Sequence, residues 1–138
     1  MVIGNPFHRG SGGPGGWIIL DEPELHLTED VLVPDLAGWR RERMPEIPDA
    51  AAFDLPPDWV AEVLSPSTEA TDRAGKLPIY AREHVEHVWF IDPRLQTLEA
   101  FAPIEGGYRV LGMWRGTAIV RVPPFDAVEL ELKGLWER

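Results

Sequence analysis

The sequence contains no cysteine, which excludes disulfides and thiolate metal sites. It is also short of positive charge, with 13 Lys and Arg against 23 Asp and Glu and a formal net charge of −10 at pH 7. That balance argues against a sequence-independent nucleic-acid binder, whose affinity comes from neutralising phosphates. A nuclease stays open, because metal ions offset acidic sites locally. No apolar run approaches the ~18 residues of a membrane span. No basic stretch followed by an apolar one opens the chain as a signal peptide would. The expectation is a cytoplasmic protein without membrane contact. The histidines at 8, 26, 84 and 87 lack H-E-x-x-H or H-x-H spacing, so zinc is not expected. There is no G-x-S-x-G elbow, no phosphate-cradling G-x-x-x-x-G-K-S/T, no base-reading motif and no internal repeat.

What is present fits one α/β domain in 138 residues. Residues 1–16 read as a Gly-rich N-terminal segment and 17–138 as the domain. Trp17 to Leu20 reads as a strand, with Glu24 to Leu27 returning beside it as a hairpin. Val31 to Trp39 reads as the next strand, with Val31, Val33, Asp35, Ala37 and Trp39 on one face. Asp35 is the polar exception there, and Pro34 implies an edge or a bulge beside it. Residues 40–57 are a polar excursion. Its Arg40, Arg41 and Arg43 read as a solvated turn, and Ala50 to Phe53 as a short helical turn.

The chain is organised around residues 57–80, P-D-W-V-A-E-V-L-S-P-S-T-E-A-T-D-R-A-G-K-L-P-I-Y. Trp59 to Leu64 is a strand with Val60, Glu62 and Leu64 on one face, and Pro66 stops it. Ser67 and Thr68 suit a helix N-cap, and Glu69 and Asp72 load the first turn with negative charge. The helix over 69–82 carries Lys76 and an apolar stripe of Ala70, Ala74, Leu77 and Ala81. Pro78 should kink it. A carboxylate buried in a strand must be matched by a metal, a cation or a raised pKa. Glu62, Asp35 and Lys76 together favour a metal site. Two plainer readings compete: Glu62 pairs structurally with an arginine while Asp35 caps a turn, and Asp72–Lys76 is an ordinary i, i+4 surface pair.

His87 to Ile91 follows a helix, so it should lie parallel to its neighbour through a crossover. Thr97 to Ala102 and Tyr108 to Met113 read as a hairpin turned at Gly106-Gly107. Ala118 to Val122 and Val128 to Leu132 should finish the sheet, with Gly134-Leu135-Trp136 docking as a C-terminal turn. The tryptophans, spread through strands, read as core rather than base-stacking platforms.

These residues carry a resemblance. Val33-Pro34-Asp35, then the run from Pro57-Asp58 through Glu62-Val63-Leu64-Ser65-Pro66-Ser67-Thr68, then Asp72 to Lys76, Tyr80, and Trp89 to Asp92-Pro93 resemble the Uma-type putative restriction endonucleases of the PD-(D/E)XK nuclease superfamily. The resemblance covers about residues 17 to 136. It implies a restriction-endonuclease-like mixed sheet with a flanking helix, and Mg²⁺-dependent (or Mn²⁺-dependent) cleavage of DNA. Asp35 and Glu62 match the metal carboxylates, with the Val63 carbonyl as a further ligand. Lys76 matches the catalytic lysine, and Asp72 the accompanying acid. In the superfamily at large the lysine lies two residues after the glutamate, where this chain has Leu64. Relatives begin with a further helix and strand bearing a Y-E-L-I-D-G-E-like motif that nothing before Trp17 matches. The expectation is therefore an N-terminally truncated chain whose uncovered sheet favours a homodimer. Its activity is expected to be metal-dependent hydrolysis of phosphodiester bonds. The alternative is an inactive remnant serving as a protein-interaction module.

Overall fold

The computed structural model describes residues 4–10, 13–49 and 52–136. In chain order its strands are β1 (Trp17–Asp21), β2 (Leu25–Leu27), β3 (Asp30–Leu32), β4 (Leu36–Arg40) and β5 (Trp59–Val63). They continue as β6 (His87–Asp92), β7 (Thr97–Ile104), β8 (Gly107–Arg115), β9 (Ile119–Val120) and β10 (Leu130–Glu131). Six of them form one sheet in the order β1-β4-β5-β6-β7-β8. Only β5 and β6 are parallel; the other neighbours are antiparallel. Parallel neighbours need a crossover. It is supplied by a π-helical segment, Thr71–Lys76, running directly into helix α1, Leu77–Arg82. The parallel β6 and the β7–β8 hairpin are as the pattern implied. The architecture is a mixed α/β sheet with a flanking helix.

Alternation along β5 sends its side chains to two different cores. Trp59 and Ala61 join a cluster with Trp17, Trp89, Phe125 and Leu132. Val60 and the following Leu64 join another with Ala37, Trp39, Tyr80 and Phe90, on the side of α1. Glu62, between Val60 and Leu64, therefore points towards the helix. On the opposite side the Phe125 ring lies 4.5 Å from Phe7, 4.9 Å from Trp17, 4.9 Å from Trp59 and 5.7 Å from Trp89. Trp17, Trp39, Trp59 and Trp89 are all buried, so tryptophan serves the core here. The C-terminal turn is helix α2, Lys133–Trp136, pinned by a Trp136 Nε1–H bond of 3.1 Å to the Gly116 carbonyl.

Several expectations are corrected. The stretch Val31 to Trp39 is two strands, because Pro34 has no N–H to give a ladder. β3 pairs with β2, and β4 with β1. Val31 and Val33 are consequently exposed rather than on the core face. β2 returns onto β3, not onto β1. β9 and β10 pair only with each other, outside the large sheet. The Gly-rich opening contains a π-helical turn, Gly4–Arg9. From it Phe7 enters the core, and His8 Nδ1 accepts the Ile19 N–H at 2.8 Å. The helical turn expected over Ala50 to Phe53 lies partly outside the described residues; Phe53 itself bridges to Leu25. The arginine cluster is tied down, Arg43 to Asp58 at 2.8 Å and Arg41 to the His8 carbonyl at 2.9 Å.

Candidate active site

Glu62 is 1% exposed, held in the middle of the sheet by a strand whose other residues belong there. Its Oε2 accepts the Tyr80 hydroxyl at 2.7 Å and lies 3.2 Å from Lys76 Nζ. Lys76 Nζ is also 3.3 Å from Asp72 Oδ1. Asp35 stands at the bend between β3 and β4, where the break at Pro34 turns it towards β5. Its Oδ2 accepts the Val63 N–H at 2.6 Å, and its own N–H makes a long 3.4 Å contact with Glu62 Oε1. Asp35, Glu62, Asp72 and Lys76 are thus brought together, with Val63 beside them.

The helix meets the sheet through its polar face. Asp72 and Tyr80 are buried, whereas Ala70 and Ala74 of the expected apolar stripe are exposed. Asp72, Lys76 and Tyr80 recur every four residues and so share a face. The widened turn suits Pro78: the Leu77 N–H donates to Asp72 O five residues back, just before a residue that could not donate at all. Asp72 is buried and Lys76 half-buried beside Glu62, so the pair is not an ordinary surface pair. At the N-terminal end Thr68 Oγ1 accepts the Ser65 N–H at 3.2 Å.

Burial pushes Glu62 up to about 7, although the Tyr80 hydroxyl and Lys76 pull the other way. Burial would lower Lys76, but the Glu62 and Asp72 carboxylates outweigh it and hold the ammonium above its ordinary value. Burial and the adjacent Glu62 push Tyr80 far up, so its hydroxyl stays protonated and donates.

Sequence reasoning left Tyr80 without a role. Its four-residue spacing from Lys76 is the available signal. A second pair, Arg73 on the helix and buried Glu99 on β7, also went unnoticed. Arg73 Nη2 lies 2.8 Å from Glu99 Oε1, but no donor is aligned with that oxygen for a hydrogen bond, so the contact is an ion pair. A separate groove of about 810 Å³ beside α1 is lined by Leu77, Ala81, Val85, Ile104 and Tyr108, and takes in none of Asp35, Glu62 or Lys76. Among the described residues no group of three or more His, Cys, Asp or Glu is arranged to hold a metal ion. No helix among them is long and apolar enough to cross a membrane.

No curated protein matches the sequence. Solved structures that match include a putative nuclease belonging to DUF820 from Anabaena variabilis, at a TM-score of 0.70 and 25% identity, covering 88% of this chain and 68% of that one. The family Uma2, described as putative restriction endonuclease, matches residues 6–133. With nearly the whole chain matched and a nuclease-like fold beneath it, this chain belongs to the Uma2 putative restriction endonuclease family.

Proposed function

We propose that this chain is a divalent-metal-dependent DNA endonuclease that hydrolyses phosphodiester bonds. The observation that carries the reading is the convergence of Asp35, Glu62 and Lys76 from a bend, a strand and a helix onto one spot. Asp35, Glu62 and the Val63 carbonyl are the proposed ligands of Mg²⁺ or Mn²⁺. The donor set fits in kind. Mg²⁺ prefers oxygen and is often held by one or two carboxylates while it keeps several waters. Asp35 Oδ2 and Glu62 Oε2 have short donors already, whereas Glu62 Oε1 has only the long 3.4 Å contact from the Asp35 N–H; Asp35 Oδ1 and Glu62 Oε1 are the oxygens assigned to the ion. When bound, such an ion supplies positive charge at the scissile phosphate and acidifies water.

The protein's own groups divide the remaining work. Asp35 and Glu62, the latter in its ionised form, offer carboxylate oxygens at a fixed place. Lys76, kept protonated by Glu62 and Asp72, stabilises charge that develops on the phosphate oxygens. Asp72 anchors the ammonium from the helix side. Incubating supercoiled plasmid with Mg²⁺ or Mn²⁺ tests this reading. The wild type should nick, and Glu62→Ala and Lys76→Ala should each slow nicking about 10²-fold or more. Metal-independent nicking, or full activity in both variants, would remove the assignment.

One observation favours the alternative of an inactive protein-interaction module. Ile104, Val110, Leu111 and Met113 are exposed on and beside β8, an edge strand of the sheet. Apolar surface of this kind marks contact sites. A homodimer remains part of the proposal on the same ground, and sedimentation mass decides it.

A further inference from the structure

Tyr80 lies on the inner face of α1, entirely buried, and its hydroxyl donates to Glu62 Oε2 at 2.7 Å. The oxygen that receives it is the one that Lys76 also approaches, at 3.2 Å. Glu62 Oε1 takes only the long 3.4 Å contact from the Asp35 backbone N–H. A carboxylate whose short contacts all fall on one oxygen is held in rotation by them. A carboxylate that loses one of two donors can swing about its terminal torsion, whose well is broad. The Tyr80 ring packs in the core with Val60, Leu64 and Phe90, so close packing restricts where its hydroxyl can go. A buried tyrosine needs some partner for its O–H, and here that partner is the central acid of the site rather than a backbone carbonyl. The chain's other tyrosine gives the contrast. Tyr108 donates to the Val85 carbonyl, away from the acids.

We infer that Tyr80 is a positioning residue, which turns Glu62 so that Oε1 is presented together with Asp35 to a divalent cation. The inference rests on the metal-site reading above and adds the group that orients Glu62. Partners of this kind, which orient a ligating carboxylate without touching the ion, cost about 10–100-fold in metal affinity or activity when removed.

The test compares Mn²⁺ binding by isothermal titration in the wild type, Tyr80→Phe and Tyr108→Phe, with thermal unfolding of each. Tyr80→Phe removes a buried hydroxyl and Tyr108→Phe a half-buried one, so each should lose some stability and the unfolding curves report how much. Only Tyr80→Phe should bind Mn²⁺ about 10–100-fold more weakly. In plasmid nicking its half-saturating Mn²⁺ should rise by a similar factor, with most of the rate restored at saturating ion. Equal Mn²⁺ affinity in Tyr80→Phe and wild type would overturn the inference and leave the metal-site reading standing. Wild type that binds no Mn²⁺ would overturn both. If Tyr80→Phe does not unfold cooperatively, the Tyr108→Phe chain serves instead, since Tyr80 is then its only tyrosine. Mg²⁺ should perturb the tyrosine absorbance saturably, and a flat titration overturns the inference.

Discussion

Glu62 is poised close to neutrality, and this gives the fold a measurable pH dependence. Its carboxyl moves from an ordinary 4.5 to about 7, chiefly through burial. Above about pH 4.5 the unfolded chain has released this proton and the folded chain still holds it. Stability therefore falls as pH rises towards 7, then levels off once both states are ionised. The span corresponds to on the order of 3 kcal/mol. Glu62→Gln keeps the shape and a hydrogen-bonding side chain but cannot titrate. Urea unfolding at pH 5 and pH 8 should show wild type losing on the order of 3 kcal/mol relative to Glu62→Gln. Parallel losses in the two proteins would mean that Glu62 carries no proton in that window. The same residue explains why one carboxylate in a sheet core is tolerable: it has Tyr80, Lys76 and a protonation route, any of which lowers the penalty of a bare buried charge.

The elements around the site differ in how much change they admit. Gly75 sits in the π-helical segment next to Lys76, exposed, and a Cβ there would meet only Thr71 Cγ2, at an ordinary 3.8 Å. Gly75→Ala should raise stability by about 0.5–1 kcal/mol with nicking unchanged. Gly38 on β4 is the opposite case. It pairs with Trp59 on β5, and a Cβ would come within 3.1 Å of the Trp59 ring and 3.2 Å of the Trp17 ring. Neither packed indole can retreat, so Gly38→Ala should cost about 1–3 kcal/mol, read as a lower urea midpoint. The position of β5 and the side on which Glu62 points were legible in the sequence, because strict alternation around Val60 and Leu64 leaves one answer. The crossover to β6 followed from the helix between two strands. The helix face was not legible. Apolar periodicity picks Ala70 and Ala74, but buried Asp72 and half-buried Lys76 compensate one another and Glu62, so polarity lies inward. Pairing was misread wherever short strands chose among partners. Pro34 splits a run that looks continuous, and β9 and β10 are too short for their pattern to say whom they join.

Taken as a whole, a molecule with net charge −10 approaches DNA with its own charge opposing the encounter. The cations on the helical crossover and after β6 do not reverse this. Lys76 is held by Glu62 and Asp72, Arg73 by Glu69 and Glu99, and Arg94 by Glu69 and Asp92. Each is already matched by carboxylates, so few condensed counterions would be released from DNA on contact. A protein that neutralises 6–10 phosphates loses about 10³–10⁵ in affinity between 50 and 200 mM salt. Here attraction is expected to be confined to the divalent ion and the groups beside it, while added salt also screens the long-range repulsion. Plasmid binding and nicking at saturating Mg²⁺ should then change by less than about tenfold over that salt range. A steep fall would locate an uncompensated basic surface away from the acids, and exposed Arg109 and Arg115 on the edge strand are the first residues to replace in that case. A shallow response that disappears without Mg²⁺ would tie DNA recognition to the carboxylate site itself.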